Sequence, residues 1–215
     1  MISSEPSLHT PVLRAALCAL SLFFLAGCGT VPEVPEVRYY RMPPATEAPG
    51  AETEAAAFQQ ALVVEPLSAD GVYNEQAILY SLKPDGNLKP YHYQLWSDPP
   101  GRLLQRRLIE NLRNARMAPL VTDRLPMAQP SRRITGLIER FERVRLNAGE
   151  ERWQVYVALQ FRLDSNDARP LLSKSYRAEV PAESASIQAT VRAFARAIDQ
   201  CFAEFRADLA ALGDA

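Results

Sequence analysis

From Trp153 to Leu163 the chain alternates, with Trp153, Val155, Val157, Leu159, Phe161 and Leu163 at one parity and Gln154, Tyr156, Ala158, Gln160 and Arg162 at the other. Successive side chains of a strand point to opposite faces, so this period of two sets a large apolar face against a core and excludes a helix. Arg133 to Leu146 has the length of a strand, with a bend expected near Gly136, and Asn147-Ala148-Gly149-Glu150 reads as the turn between them. Ser165-Asn166-Asp167 marks a second turn, after which Leu171 to Val180 returns. Three consecutive antiparallel strands are therefore expected. A long helix follows from about Ser184 to Leu212, on which Ile187, Val191, Phe194, Ile198, Phe202, Phe205, Leu209 and Leu212 form one apolar stripe. The stripe is expected to pack on the sheet, rather than serve as a coiled-coil seam or a membrane-facing surface, and Cys201 beside Phe202 is expected to be a small core residue.

The first half is more broken. Val37 to Met42 reads as a short edge strand, Ala61 to Leu67 and Ala77 to Leu82 as aliphatic strands, and Ser68 to Gln76 as the turn between those two. Pro84-Asp85-Gly86-Asn87 predicts a hairpin leading into a strand from Leu88 to Trp96. Asp98 ahead of Pro99 and Pro100 is helix-start chemistry, a carboxylate that accepts orphan amides followed by prolines that lack them. The helix is expected to run to about Ala115, with Leu104, Leu108 and Leu112 inward and Arg102, Arg106, Arg107 and Arg113 facing solvent. The predicted fold class is thus α/β: a single domain with a mixed central β-sheet flanked by helices and a long C-terminal amphipathic helix.

Ahead of this domain, Arg14 is followed by an apolar run from Ala15 to Leu25 and then by Leu25, Ala26, Gly27 and Cys28. A run of about a dozen residues is too short to span a bilayer, which takes roughly 20, and small residues before a Cys are the form of a lipobox at the end of a secretory signal. Residues 1–27 are expected to be removed, with Leu25, Ala26 and Gly27 read by the signal peptidase and Cys28 lipidated. Two or three acyl chains on one residue anchor far more firmly than one. Gly29 stands where an inner-membrane retention signal commonly carries Asp, so the expected address is the inner leaflet of the outer membrane. Residues 28–57, rich in Pro, Ala and Glu, read as the lipidated terminus and its linker, and residues 58–215 as the domain.

Composition removes several function classes. The chain carries 24 basic and 25 acidic residues for a net charge of −1, with no basic stripe of the kind that nucleic acid requires. Of the three Cys, Cys18 leaves with the signal and Cys28 is acylated, so Cys201 has no partner for an internal disulfide. With His9 also removed, His92 is the one imidazole left, which argues against zinc sites and His-based triads. Asp85, Asp98, Glu139 and Glu142 are scattered carboxylates, and Gly136 and Gly149 belong to no phosphate-cradling loop. No enzyme activity and no cofactor beyond the covalent lipid on Cys28 are expected.

Taken in order, several elements together resemble the ABC-type transport auxiliary lipoproteins, often called PqiC-like. They are the lipobox, the Tyr39-Tyr40 strand, the Val-rich strand ending at Pro66, the aromatic strand closing at Trp96 with Pro99 opening a helix, Phe141 with its long strand, the alternating strand and the terminal helix. The likeness covers the whole mature chain; the linker is longer and more acidic than usual, and the segment after Tyr80 lacks the basic residue that the resemblance implies beside that strand. The resemblance implies a non-catalytic role in envelope lipid transport, beside an inner-membrane ABC permease and ATPase and an MCE-type protein that crosses the periplasm. A second reading is an assembly lipoprotein that helps insert or plug an outer-membrane β-barrel. Tyr91, Tyr93, Gln94, Trp96 and Asp98, where an aromatic strand meets a helix, are the expected contact surface, either for a second copy of the chain or for a transporter component. Strict alternation places Tyr91 and Tyr93 on one face and Gln94 with Trp96 on the other, and burial of Trp96 in the core is the competing reading for that residue.

Overall fold

One 15-residue strand, Ser131–Arg145, organises the sheet, because its two edges are used differently. The computed structural model describes residues 35–45, 56–84, 86–125, 129–147 and 151–213; the lipobox, Asp85 and the tip of the turn at 148–150 lie outside them. The strands are β1 (Arg38–Tyr40), β2 (Ala61–Val64), β3 (Ser68–Ala69), β4 (Ala77–Ser81), β5 (Lys89–Trp96), β6 (Val121–Thr122), β7 (Ser131–Arg145), β8 (Trp153–Asp164) and β9 (Pro170–Pro181), and the helices are α1 (Pro100–Asn114) and α2 (Ile187–Leu212). Val37–Ala215 forms one compact unit.

Along one edge β7 pairs antiparallel with β8 over its length, and β8 pairs in turn with β9, so the three expected antiparallel strands are present. Along the other edge a single stretch of chain runs parallel to β7 in three short pieces: Ala61 lies opposite Ser131, Ser68 opposite Leu137 and Tyr80 opposite Arg143. This stretch is why the expected strand Ala61–Leu67 stops at Val64. Pro66 cannot donate to a ladder, and Leu67 leaves the sheet edge to be buried under α1. Two glycines make room for it. A Cβ on Gly101 would stand 2.1 Å from the Leu67 carbonyl oxygen, and one on Gly136 would stand 2.8 Å from the Leu67 side chain. Gly136 is therefore a packing position; the irregularity of β7 falls instead between Ile138 and Arg140.

The sheet continues outward from β4 through β5 to β1 at one end and from β2 to β6 at the other, a mixed arrangement with helices packed against it. α2 crosses β8 and β9. Its stripe meets the alternating face of β8 as the two periodicities require: Phe161 stacks on Phe205 with ring centroids 4.5 Å apart and meets Phe202 edge-on at 5.8 Å. Val155, Leu159, Phe161, Leu163, Phe194, Ile198, Cys201, Phe202, Phe205 and Leu209 are all fully buried. The helix begins at Ile187, not Ser184, because the Ser186 hydroxyl accepts a bond from the Ala189 amide and so sets the first turn.

Two expectations for α1 are overturned. Asp98 does not cap the helix: Pro99 occupies the cap position and no side chain bonds the first turn. Asp98 instead accepts from Arg106 at 2.6 Å, since a guanidinium two turns along offers a stronger donor than the proline-depleted first turn. Arg107 does not face solvent. It is 5% exposed and reaches Asp199 of α2 with two bonds, at 2.9 and 2.8 Å, while its Nη1 bonds the Pro43 carbonyl. A buried guanidinium requires such a partner, and here the pair ties α1, α2 and the segment after β1 together.

Candidate functional site

β1 lies parallel to β5 at the sheet margin, with Arg38 opposite Gln94, Tyr39 opposite Leu95 and Tyr40 opposite Trp96. The Tyr40 hydroxyl donates to Gln94 Oε1 at 2.5 Å, which fixes both side chains. Along its other side β5 pairs with β4 irregularly, Ala77 opposite Leu95 but Leu79 opposite Pro90. The slip breaks the alternation of β5. Tyr91 and Gln94, expected on opposite faces, line one cleft of about 460 Å³ together with Tyr40, Arg143, Trp153 and Ser186.

The five residues expected at a contact surface therefore separate. Trp96 is withdrawn from it: at 1% exposure it packs between Phe141, centroid at 5.6 Å, and Phe194, at 5.2 Å, as part of the core. Tyr93 is 40% exposed and, with Tyr39 at 63% on the neighbouring strand, presents aromatic surface at the margin of the sheet. His92 is exposed beside it, its ring edge-on to Tyr93. Tyr91 is half-buried, its ring 4.3 Å from that of Tyr80, and burial raises its hydroxyl pKa above the usual tyrosine value. Asp98 lies in a separate cleft of about 550 Å³ between the segment Arg41–Pro44 and α1, where the hydrogen bond from Arg106 holds its carboxyl below the usual carboxylate range.

Arg143 is the residue that sequence reasoning missed. It shares its face of β7 with Phe141, and it sits at the end of the sheet where α2 begins. It is 1% exposed, its guanidinium lies 3.6 Å over the Trp153 ring, and its Nη2 donates to the Ala185 carbonyl at 3.0 Å. Nε and Nη1 have no partner. Loss of solvent lowers its pKa to about 10. Parity places it on the face of Phe141 but did not single it out, because β7 is covered on both faces here: Glu142 and Val144 on the other face are buried too. Glu142, on the opposite face, is also buried but fully engaged, accepting from Tyr73, from Arg140 and from the Phe141 amide. Arg143 and Glu142 are thus neighbours in sequence that cannot neutralise each other.

Among the described residues no group of three or more His, Cys, Asp or Glu converges on a point, and no helix is long and apolar enough to cross a membrane. What the margin offers is aromatic surface and buried cationic charge, which suit binding.

The architecture matches solved structures. One is the crystal structure of a Xanthomonas campestris protein of family DUF330, 20% identical, with a TM-score of 0.66 over 81% of this chain and 96% of that one. Another is the crystal structure of an uncharacterized protein, 14% identical, with a TM-score of 0.63 over 81% of this chain and 99% of that one. At these identities the likeness establishes the fold alone. No curated protein matches the chain. The family model described as the ABC-type transport auxiliary lipoprotein component matches residues 40–205, from the end of β1 to the last turns of α2, and the chain belongs to that family.

Proposed function

We propose that this protein is a lipid-anchored, non-catalytic subunit of an MCE-type lipid transport system, held at the inner leaflet of the outer membrane with its domain in the periplasm. Family membership carries the reading, since it names an auxiliary lipoprotein of ABC-type transport. The lipobox ending at Cys28 supports it by supplying the anchor, and Gly29 supports the outer-membrane address. The partners are an MCE-type periplasmic protein and the ABC permease and ATPase that power it, and the exposed aromatics Tyr39 and Tyr93 at the sheet margin are the contact surface.

Two measurements test this. Labelled palmitate should be incorporated by the natural chain and not by Cys28→Ser; retention of label by the variant would sink the anchor. A photo-crosslinking residue at Tyr93 or Asp98 in living cells should give a discrete adduct with an MCE-type protein, or with a second copy of the chain in a complex that also contains it. Recovery of an outer-membrane barrel at the same positions would replace transport by barrel assembly as the function.

A further inference from the structure

The cleft at the start of α2 holds cationic character that its own carboxylates do not answer. Arg143 lies at its floor with Nε and Nη1 unpartnered, and two residues along the same face the Nε of Arg145 is likewise buried without a partner. The first turn of α2 adds to this, because no acidic residue stands in it and the aligned peptide dipoles of a 26-residue helix leave partial positive charge at that end. Ser186 satisfies the Ala189 amide, and the amides of Ile187 and Gln188, the first two of the helix, have no intrahelical carbonyl to donate to. Glu151 lines the same cleft but bonds neither Arg143 nor the helix end. The Arg143 guanidinium lies beside this helix end, bonded through Nη2 to the Ala185 carbonyl and covered by the Trp153 ring, so its Nε and Nη1 are enclosed until that ring moves; an arginine fork together with helix-terminal amides is a donor set that recognises phosphate oxygens.

We propose that this cleft binds a phosphate group, held by Arg143 and the first-turn amides of α2. Burial of an arginine is costly unless an anion accompanies it, and Arg107 shows how this fold meets that need when the anion belongs to the chain. The cleft, at about 460 Å³, is larger than a phosphate requires. The remainder, walled by Tyr91 and Trp153, accommodates the organic group to which the phosphate is attached. Trp153 is partly buried and stacked on the guanidinium; it shifts to admit the ligand and so reports its arrival. The phosphate comes from a phospholipid headgroup or from a free phosphate, and the site stands on this chain's residues whichever transport partner the protein has.

The test uses the full lipidated chain in dodecyl maltoside. Tryptophan emission and calorimetry are followed while sodium phosphate replaces sodium chloride at constant ionic strength, and separately while dihexanoyl phosphatidylglycerol, or dihexanoylglycerol lacking the phosphate, is added. Saturable binding of a phosphate-bearing probe is expected, weakened at least tenfold by Arg143→Gln, with dihexanoylglycerol inert. Phospholipid binding at least tenfold tighter than inorganic phosphate identifies a headgroup site; comparable affinities identify a free-phosphate site. Failure of both probes to saturate, or undiminished binding by a folded Arg143→Gln, overturns the proposal. If that variant does not fold, Glu151→Gln decides: removing the carboxylate from the cleft should tighten binding severalfold, and unchanged affinity overturns the site.

Discussion

Arg107 and Arg143 are buried to nearly the same degree, 5% and 1% exposed, and both touch the chain near α2. Arg107 meets the middle of the helix and finds Asp199 there, 92 residues away in sequence, in a two-bonded pair. Arg143 meets the start of the helix and finds a carbonyl and an aromatic ring. A paired guanidinium holds elements together, because removing either partner strands a charge. An unpaired one contributes little to the folded state, so its presence points to a ligand. The comparison extends to the surroundings: around the middle and end of α2 the rings of Phe161, Phe202, Phe205 and Tyr176 are closely packed and the Tyr176 hydroxyl bonds Asp208, whereas the start of the helix opens onto a cleft.

The largest effect should come from the packed region. Phe161→Ala removes a fully buried ring and should lower the free energy of unfolding by about 3–5 kcal/mol in urea titration; a loss under ~1 kcal/mol would mean that α2 is not seated on β8. Asp199→Ala should cost about 3 kcal/mol by stranding Arg107, and the double variant with Arg107→Met should recover much of that loss. No recovery would show that the pair acts through packing alone.

Cys201 gives an intermediate effect with a defined sign. Burial pushes its thiol up from about 9 to about 12, so as pH rises the unfolded chain loses its proton first. Stability should fall from about pH 9 upward, by at most about 1.4 kcal/mol per pH unit, and level near pH 12. Cys201→Ala should remove the part of that slope between about pH 9 and 10, below the range in which the buried hydroxyls of Tyr73, Tyr91 and Tyr176, also raised, contribute in the same direction, and thiol reagents should modify Cys201 at least ~100-fold more slowly in native buffer than in urea. Rapid native modification would show that α2 opens locally. The smallest loss is reserved for the arginine without a carboxylate: in the absence of ligand Arg143→Met should leave stability unchanged or raise it by about 1 kcal/mol. A cost equal to that of Asp199→Ala would erase the distinction between the two arginines.

Much of the fold was legible because its signals are local. The alternation of β8 and the stripe of α2 each specify a buried face from spacing alone, and the two apolar faces meet. The hairpin into β5 and the short strand at Tyr39-Tyr40 were legible from turn chemistry and composition. The site was legible only in part. Tyr93 is exposed and Asp98 partly so, but Trp96 is core, because its strand ends where α2 and Phe141 close over it. Arg107 read as a solvent-facing helix residue because its partner lies on another element. Tyr91 and Gln94 share a cleft through a slip in β5 that no residue of that strand announces.

The sequence by itself determined the three antiparallel strands and the terminal helix, which depend on residue type and spacing along one segment. Tertiary structure alone decided which buried arginine acquired a carboxylate and which did not. Charge pairing is set by distances across elements, and Arg107, on α1, was carried within 2.8 Å of Asp199 while Arg143, at the far end of β7, was carried to a helix terminus of its own sign.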